Sequence, residues 1–385
     1  MSLWDYVEVR ADVFDKSLDG RLAPSLSEVV LGSTHSIYTD SKTFLESTYL
    51  TDSMRKLLRE VLEALASGSG KLIILPSAFG GGKTHSMILL YHLVKSPDSP
   101  EFMRVVEDAM GAERARQISK ELRGARVVAI DGTNSKTAPS PIPGEELKEG
   151  DVRVRTLWGY LALKIGRDKY EKIRYYDEKL ISPEKSKLLE VLSGERVLVL
   201  IDELGPYYNR FKATDEFAKY AEQVVIFLRM LSECTNEAGV VVVLSLPAEP
   251  TGKAVEGYED FVKQVEQVEK EVGRVAIRVE SPITTSDDFA GVLKKRLFSK
   301  VDGKGALFAK RRLRELAASY QQVVKDVSEE LEKHYPFHPF FVMTLRELVE
   351  RNRDLQKTRD ALRIARMVLR NLYERREKAL LVMPT

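Results

Sequence analysis

The sequence predicts a three-layer α/β fold with a parallel sheet, followed by an all-helical C-terminal region. Three observations carry this. Short apolar runs rich in β-branched residues alternate with helical segments from about residue 71 to 280, the pattern of βαβ units. A glycine-rich turn stands between the first of those runs and the helix after it. Beyond Asp287 the strand signals stop, and to about residue 379 the spacing is helical, broken near 335–339.

Residues 1–50 mix Pro, Gly and Ser punctuation and read as an irregular arm packed on the core. Residues 52–66 carry apolar side chains at helical spacing, with Gly68 and Gly70 as the stop. The run 72–75 reads as a buried strand, the glycines after it as a loop, and 84–94 as a helix. Further buried strands are expected at 126–130, 197–201, 240–246 and 275–279. Helices near 101–123, 156–165, 183–192, 214–232 and 255–272 separate them. The polar stretch 132–154 reads as a long surface loop, and Trp158 as core. The acidic strand at 197–201 should lie apart from the glycine-loop strand in sequence, yet beside its partner strand in space. The expected parts are an arm (1–50), an α/β core (51–286) and a helical lid (287–385). There is no internal repeat and no low-complexity tract.

The 385 residues leave room for two or three domains, at roughly 100–200 residues each. A hydrophobic content of 43% excludes global disorder. The single cysteine, Cys234, excludes an intramolecular disulfide and a cysteine-based zinc site. No apolar run approaches the roughly 20 residues of a membrane span, and MSLWDYVEVR has no signal-peptide pattern. A cytoplasmic protein is expected. Charge is uneven: from Gly291 onward there are 22 Lys/Arg against 12 Asp/Glu. A basic tail behind an acidic front is compatible with nucleic-acid contact, or with a solvated arginine face.

The strongest chemical signal is Ser77-Ala78-Phe79-Gly80-Gly81-Gly82-Lys83-Thr84. It differs from G-x-x-x-x-G-K-[ST] only in having Ser77 for the first glycine. Glycines let backbone N–H groups turn inward on phosphate oxygens, and the following helix start adds partial positive charge. Lys83 would reach the β- and γ-phosphates, and the Thr84 hydroxyl would hold Mg²⁺. His85 follows in the first helical turn. The second signal is VLVLIDE at 197–203. A carboxylate directly after a buried strand reaches the same sheet edge as the loop. Asp202 can then hold Mg²⁺ through water, and Glu203 can orient or deprotonate the attacking water. Ser245, at the tip of the next strand, can bond that water or the γ-phosphate, or simply end the strand. Arg274, between a helix and a strand, is either an arginine finger acting across an interface or a cation on a helix C-terminus. Arg359 either reaches back to the γ-phosphate or pairs on the surface. His334 and His338 are separated by Pro336 and read as ordinary packing.

Several stretches together resemble the prokaryotic AAA+-like ATPases of the domain-of-unknown-function 499 family. They are TFLESTYLTDSMRKLL (43–58), FGGGKTHSMILLYHL (79–93), RTLWGYLA (155–162), VLVLIDELGPYYNRF (197–211), SPITTSDDFAGVLKKRLF (281–298), YPFHP (335–339) and LQKTRDALRIARMVL (355–369). The match runs from about residue 24 to the end. The resemblance implies a P-loop ATPase core of AAA+ or related type and a helical lid carrying a second sensor arginine, which TRDAL maps onto Arg359. Family members are usually longer, so a core-only version or a fragment is implied. Genes of that family tend to lie beside methyltransferase, helicase and nuclease genes in defence-type clusters, so the resemblance implies ATP-driven work on DNA or on a DNA-acting complex. Mg²⁺-dependent ATP hydrolysis by an oligomer, or together with a partner protein, is the resulting expectation. An ATP-dependent switch or scaffold with little turnover, or a nucleoside kinase, would use a similar loop.

Overall fold

A computed structural model of the chain describes residues 2–383, apart from 22–24, 34–36, 77–81, 249–252, 273–276, 280–284, 317–329, 353–354, 356 and 376–377. The strands among them are β1 (Val7–Val9), β2 (Lys71–Pro76), β3 (Arg126–Asp131), β4 (Leu147–Glu149), β5 (Val152–Val154), β6 (Val197–Asp202), β7 (Val241–Leu246), β8 (Ile277–Arg278) and β9 (Phe298–Val301). Five of them form the parallel sheet, in the order β3-β6-β7-β2-β8. The acidic strand β6 is thus separated from β2 by β7 alone.

Strands covered on both faces must be apolar at every position, and β6 and β7 are buried throughout. Their side chains sort by parity. Val197, Val199 and Ile201 enter the cluster containing Trp158, Phe227 and Phe261. Leu198 and Leu200 enter the opposite cluster with Phe44, Leu58 and Leu90. Helices therefore lie on both faces, giving the three layers.

Several local expectations are corrected. The helix expected over 101–123 is two, Pro100–Met110 and Ala112–Glu121, because Gly111 takes φ 85° between them. The stretch 132–154 is not simply a surface loop. Thr137, Ala138 and Ser140 are buried, and β4 pairs with β5 as an antiparallel hairpin. Trp158 is core, as expected. The TLWG motif is architectural. Thr156 caps helix Leu157–Ile165 through the N–H of Gly159 at 3.0 Å, and also donates to the buried carboxylate of Asp177 at 2.5 Å. A Cβ on Gly159 would stand 2.3 Å from that carboxylate, so only glycine fits.

The C-terminal region is not purely helical, because β9 interrupts it. Its antiparallel partner is β1, nearly 300 positions away, where Val7 faces Val301. The arm expected to pack on the core divides. Helices Leu26–Leu31 and Ser41–Ser47 contribute to the sheet-side cluster with Leu58. Leu3, Val7 and Val13 instead share a third cluster with Phe289, Val342 and Leu369. Helix Lys357–Glu374 is clamped to this segment by charge. Arg366, only 1% exposed, donates to Asp12 Oδ2 at 3.0 Å, Asp19 Oδ1 at 2.9 Å and the Asp15 carbonyl at 3.1 Å. Arg370 donates to the Val13 carbonyl at 3.0 Å and pairs with Asp19. A buried guanidinium is tolerable only with its donors satisfied this fully.

Two histidines tie acid sensitivity to packing. His92 bonds the Tyr38 carbonyl through Nε2 at 2.7 Å, and burial lowers its pKa. Burial, with the charge of Arg296 adding to it, pushes His85 from 6.5 down to about 3. The unfolded chain therefore binds protons below pH 6.5 that the folded chain refuses. Stability is expected to fall as pH drops from about 6.5, by up to about 1.4 kcal/mol per unit for each histidine. Urea midpoints at successive pH values check this, and His85→Asn should flatten the slope. An unchanged slope in that variant would contradict the reading.

Candidate functional site

All five strands of the sheet run the same way, so their carboxyl ends share one edge. Helix Lys83–Lys95 begins there, after β2. Its N-cap, Gly82, has φ 85°, a left-handed conformation that glycine adopts without steric cost, and its carbonyl accepts from the Ser86 N–H at 3.0 Å and hydroxyl at 3.1 Å. Ser77, Ala78, Phe79, Gly80 and Gly81 lie outside the described residues. Thr84, in the first turn, donates from Oγ1 to Asp202 Oδ2 at 2.6 Å. Lys83 stands close enough for its charge to favour ionisation of both Asp202 and Glu203.

Asp202, at the end of β6, is 1% exposed. Burial raises its pKa, opposed by hydroxyl bonds from Ser245 and Thr84, while the charge of Asp131 adds to the rise. Ser245 sits near the end of β7, the strand between β6 and β2. Its oxygen also accepts from the Glu203 N–H at 3.3 Å, and that N–H reaches Asp202 Oδ1 at 3.1 Å. Ser245 thereby bridges the acid pair, more than a polar strand end requires. Burial first, then repulsion from Asp202, pushes Glu203 up to about 7.

Glu203 itself is held at φ 52°, ψ 35°, an uncommon conformation for a residue with a side chain. The neighbouring strand end secures it. The Gly132 N–H donates to the Asp202 carbonyl at 3.0 Å. A Cβ on Gly132 would lie 2.1 Å from the Glu203 carbonyl oxygen, so only glycine allows this approach.

Asp131 is the residue that sequence reading missed here. It ends β3 and is paired in register with Asp202. Its carboxylate accepts from the backbone N–H groups of Ser27 and Thr133, each at 3.0 Å, and from the Thr133 hydroxyl at 2.7 Å. The signal was present: RVVAID and VLVLID both end an apolar run, of four and five residues, in aspartate.

The remaining candidates are not drawn into this group. The ring of His85 packs on Phe44 at 4.8 Å, and its Nε2 lies 3.3 Å from Thr48 Oγ1. Arg359 donates from Nη2 to the Gly20 carbonyl at 3.1 Å. Arg274 lies outside the described residues. His338 caps helix Pro339–Arg351 and His334 bonds Asp287 at 3.2 Å, so both are packing and capping groups. Among the described residues no three His, Cys, Asp or Glu side chains form a self-contained metal site. No helix among them is long and apolar enough to cross a membrane. In the basic region, Lys310 pairs with Glu332, and Arg311 and Arg312 both pair with Glu315. Together with the buried Arg366 and Arg370, these cations are already matched by acids of the same chain.

The molecule is an α/β protein with a five-stranded parallel sheet, whose carboxyl edge carries a Lys-Thr helix start and an acid pair, the buried Asp202 and the half-buried Glu203. It belongs to the DUF499 family: the DUF499 N-terminal domain matches residues 1–280, and the DUF499 second domain matches residues 284–385. No curated protein matches the sequence. Among solved structures the chain is similar to one in "Structure of Drosophila ORC bound to DNA", with 13% identity and a TM-score of 0.42, over 96% of this chain and 70% of that one.

Proposed function

We propose that this protein binds and hydrolyses ATP with Mg²⁺ at the carboxyl edge of the sheet, as a P-loop ATPase of AAA+ or related type. The observation that carries the reading is the 2.6 Å bond from Thr84 to Asp202, with Glu203 and Ser245 joined to the same carboxylate. A hydroxyl and a carboxylate are the hard oxygen donors that Mg²⁺ prefers, with waters and phosphate oxygens completing its shell. Thr84 and Asp202 would hold the ion, and when bound it would neutralise charge on the β- and γ-phosphates. Lys83 and the backbone of 77–82 bind the phosphates. Glu203, poised near neutrality, takes a proton from the attacking water or orients it. Ser245 keeps Glu203 and Asp202 in register. Arg359 and Arg274 are proposed as further phosphate-facing cations. Arg359 would have to exchange its bond to the Gly20 carbonyl for the nucleotide.

The work driven is proposed as action on DNA or a DNA-bound partner by an oligomer, on the 22 Lys/Arg against 12 Asp/Glu from Gly291 onward, of which Lys310, Arg311, Arg312, Arg366 and Arg370 are set aside because they pair with acids of the same chain. The alternative, a nucleotide-dependent switch with little turnover, uses the same residues. Phosphate release is measured with Mg²⁺ or EDTA, with and without duplex DNA, alongside the mass of the particle with and without ATP. Mg²⁺-dependent release supports hydrolysis. Tight ATP binding with no release under any condition favours the switch, and no binding at all removes both readings.

A further inference from the structure

The stretch LGPYYNRF follows Glu203 directly and folds as helix Leu204–Lys212, with Glu203 as its N-cap. Four successive residues of this helix reach out to the chain segments that follow β3 and β7, the two neighbours of β6 in the sheet. On the β3 side, the Tyr207 hydroxyl donates to the Pro139 carbonyl at 2.7 Å and meets the Tyr220 hydroxyl at 2.8 Å. Arg210 pairs with Glu145 and bonds the Ser140 hydroxyl at 3.4 Å. On the β7 side, Tyr208 donates to Asp260 Oδ2 at 2.6 Å, and Asn209 donates from Nδ2 to the Gly257 carbonyl at 2.7 Å. The ring of Tyr258 lies so near Gly205 that a Cβ there would stand 2.9 Å from it.

Packing alone would hold this helix by its apolar face, and Leu204 and Phe211 already enter the core. The polar anchors add direction, because hydrogen bonds to two flanks stop the helix from sliding or turning about its axis. That matters most at its first residue. A left-handed backbone is disfavoured wherever there is a Cβ, and it persists only where the surroundings over-determine it. If the helix were free to turn, Glu203 would relax to an ordinary conformation. The relaxation would re-aim its side chain and break the N–H bonds to Asp202 and Ser245.

We propose that Tyr207, Tyr208, Asn209 and Arg210 are positioning residues for Glu203, clamping the helix that begins there between the segments after β3 and β7. The inference rests on the reading of Glu203 as the base of ATP hydrolysis. The four side chains act through the backbone of residue 203, and the phosphates are bound by other groups.

The experiment measures ATP turnover and ATP affinity in the full chain for Tyr207→Phe and Asn209→Ala, each alone and combined with Glu203→Gln. Tyr207→Phe keeps the ring and its edge contact with Phe211 at 4.8 Å. Each single variant is expected to lower kcat by about tenfold and to bind ATP within about twofold of wild type. With Glu203→Gln already in place, the same substitutions should alter the residual rate by less than about twofold, because no base is left to position. Tyr170→Phe is the control. It removes another buried hydroxyl of the same core, one that donates to Asp177 at 3.0 Å and to the Arg153 carbonyl at 3.1 Å. It should lower the melting temperature as Tyr207→Phe does and leave turnover unchanged. If Tyr207→Phe fails to fold, Arg210→Met, at an exposed position, is read in its place. Turnover within about twofold of wild type in the single variants overturns the clamp and leaves the role of Glu203 standing. An equal loss of rate in the Glu203→Gln background also overturns it, by assigning the loss to the structure at large. A wild type that releases no phosphate, or a Glu203→Gln variant as fast as wild type, removes the base itself and the proposal with it.

Discussion

Glu203→Gln is expected to bind ATP within about twofold of wild type and to release phosphate at least about 100-fold more slowly. Gln keeps the size of the side chain and leaves intact the backbone N–H that bonds Asp202 and Ser245. What it removes is the proposed proton acceptor. A group used in the transition state alone lowers turnover without weakening ground-state binding. The substitution should not destabilise the fold, because burial and Asp202 already disfavour the charged form of Glu203. A thermal melt together with a nucleotide titration separates loss of chemistry from loss of structure. Turnover equal to wild type would remove Glu203 as the base, whatever happened to binding.

Lys83→Ala has the second large effect, expected in binding. Its ammonium is the cation whose charge opposes the rise in both Asp202 and Glu203. Removing it would take away the proposed phosphate partner and leave Asp202 and Glu203 with less compensation. Two lost charge-assisted contacts correspond to a dissociation constant raised by about 100-fold or more. Isothermal calorimetry with ATP and Mg²⁺ reads this directly. Affinity within about twofold of wild type would mean that the phosphates are held elsewhere.

Much of the α/β part was legible in the chain itself. A strand buried on both faces needs an unbroken apolar run, and VLVLI, VVVL and VVAI are such runs whatever surrounds them. Parallel pairing then forces their carboxyl ends onto one edge. This is why Lys83, Thr84, Asp202 and Ser245 could be grouped from sequence before any contact was known. Glu203 was legible for the same reason, but its left-handed backbone was not, since that depends on the close approach of Gly132 from β3.

Where local pattern carries no information about distant partners, the tertiary structure decided. Strand β9 is four residues long, and its partner lies near the other end of the chain, so no periodicity announces it. Leu3, Val7 and Val13 look like any irregular arm until the second unit supplies their cluster. The arginines of helix Lys357–Glu374 read as a basic face, yet Arg366 and Arg370 are spent on Asp12 and Asp19. Charge counted along a sequence ignores which acids fold back to meet it. The same holds for Arg296, one more cation in KKRLF by composition. Among the described residues it is a buried charge with no acid bonded to it, because Tyr38, His85 and Arg10 close around it in three dimensions, and burial is what makes an unpaired charge costly.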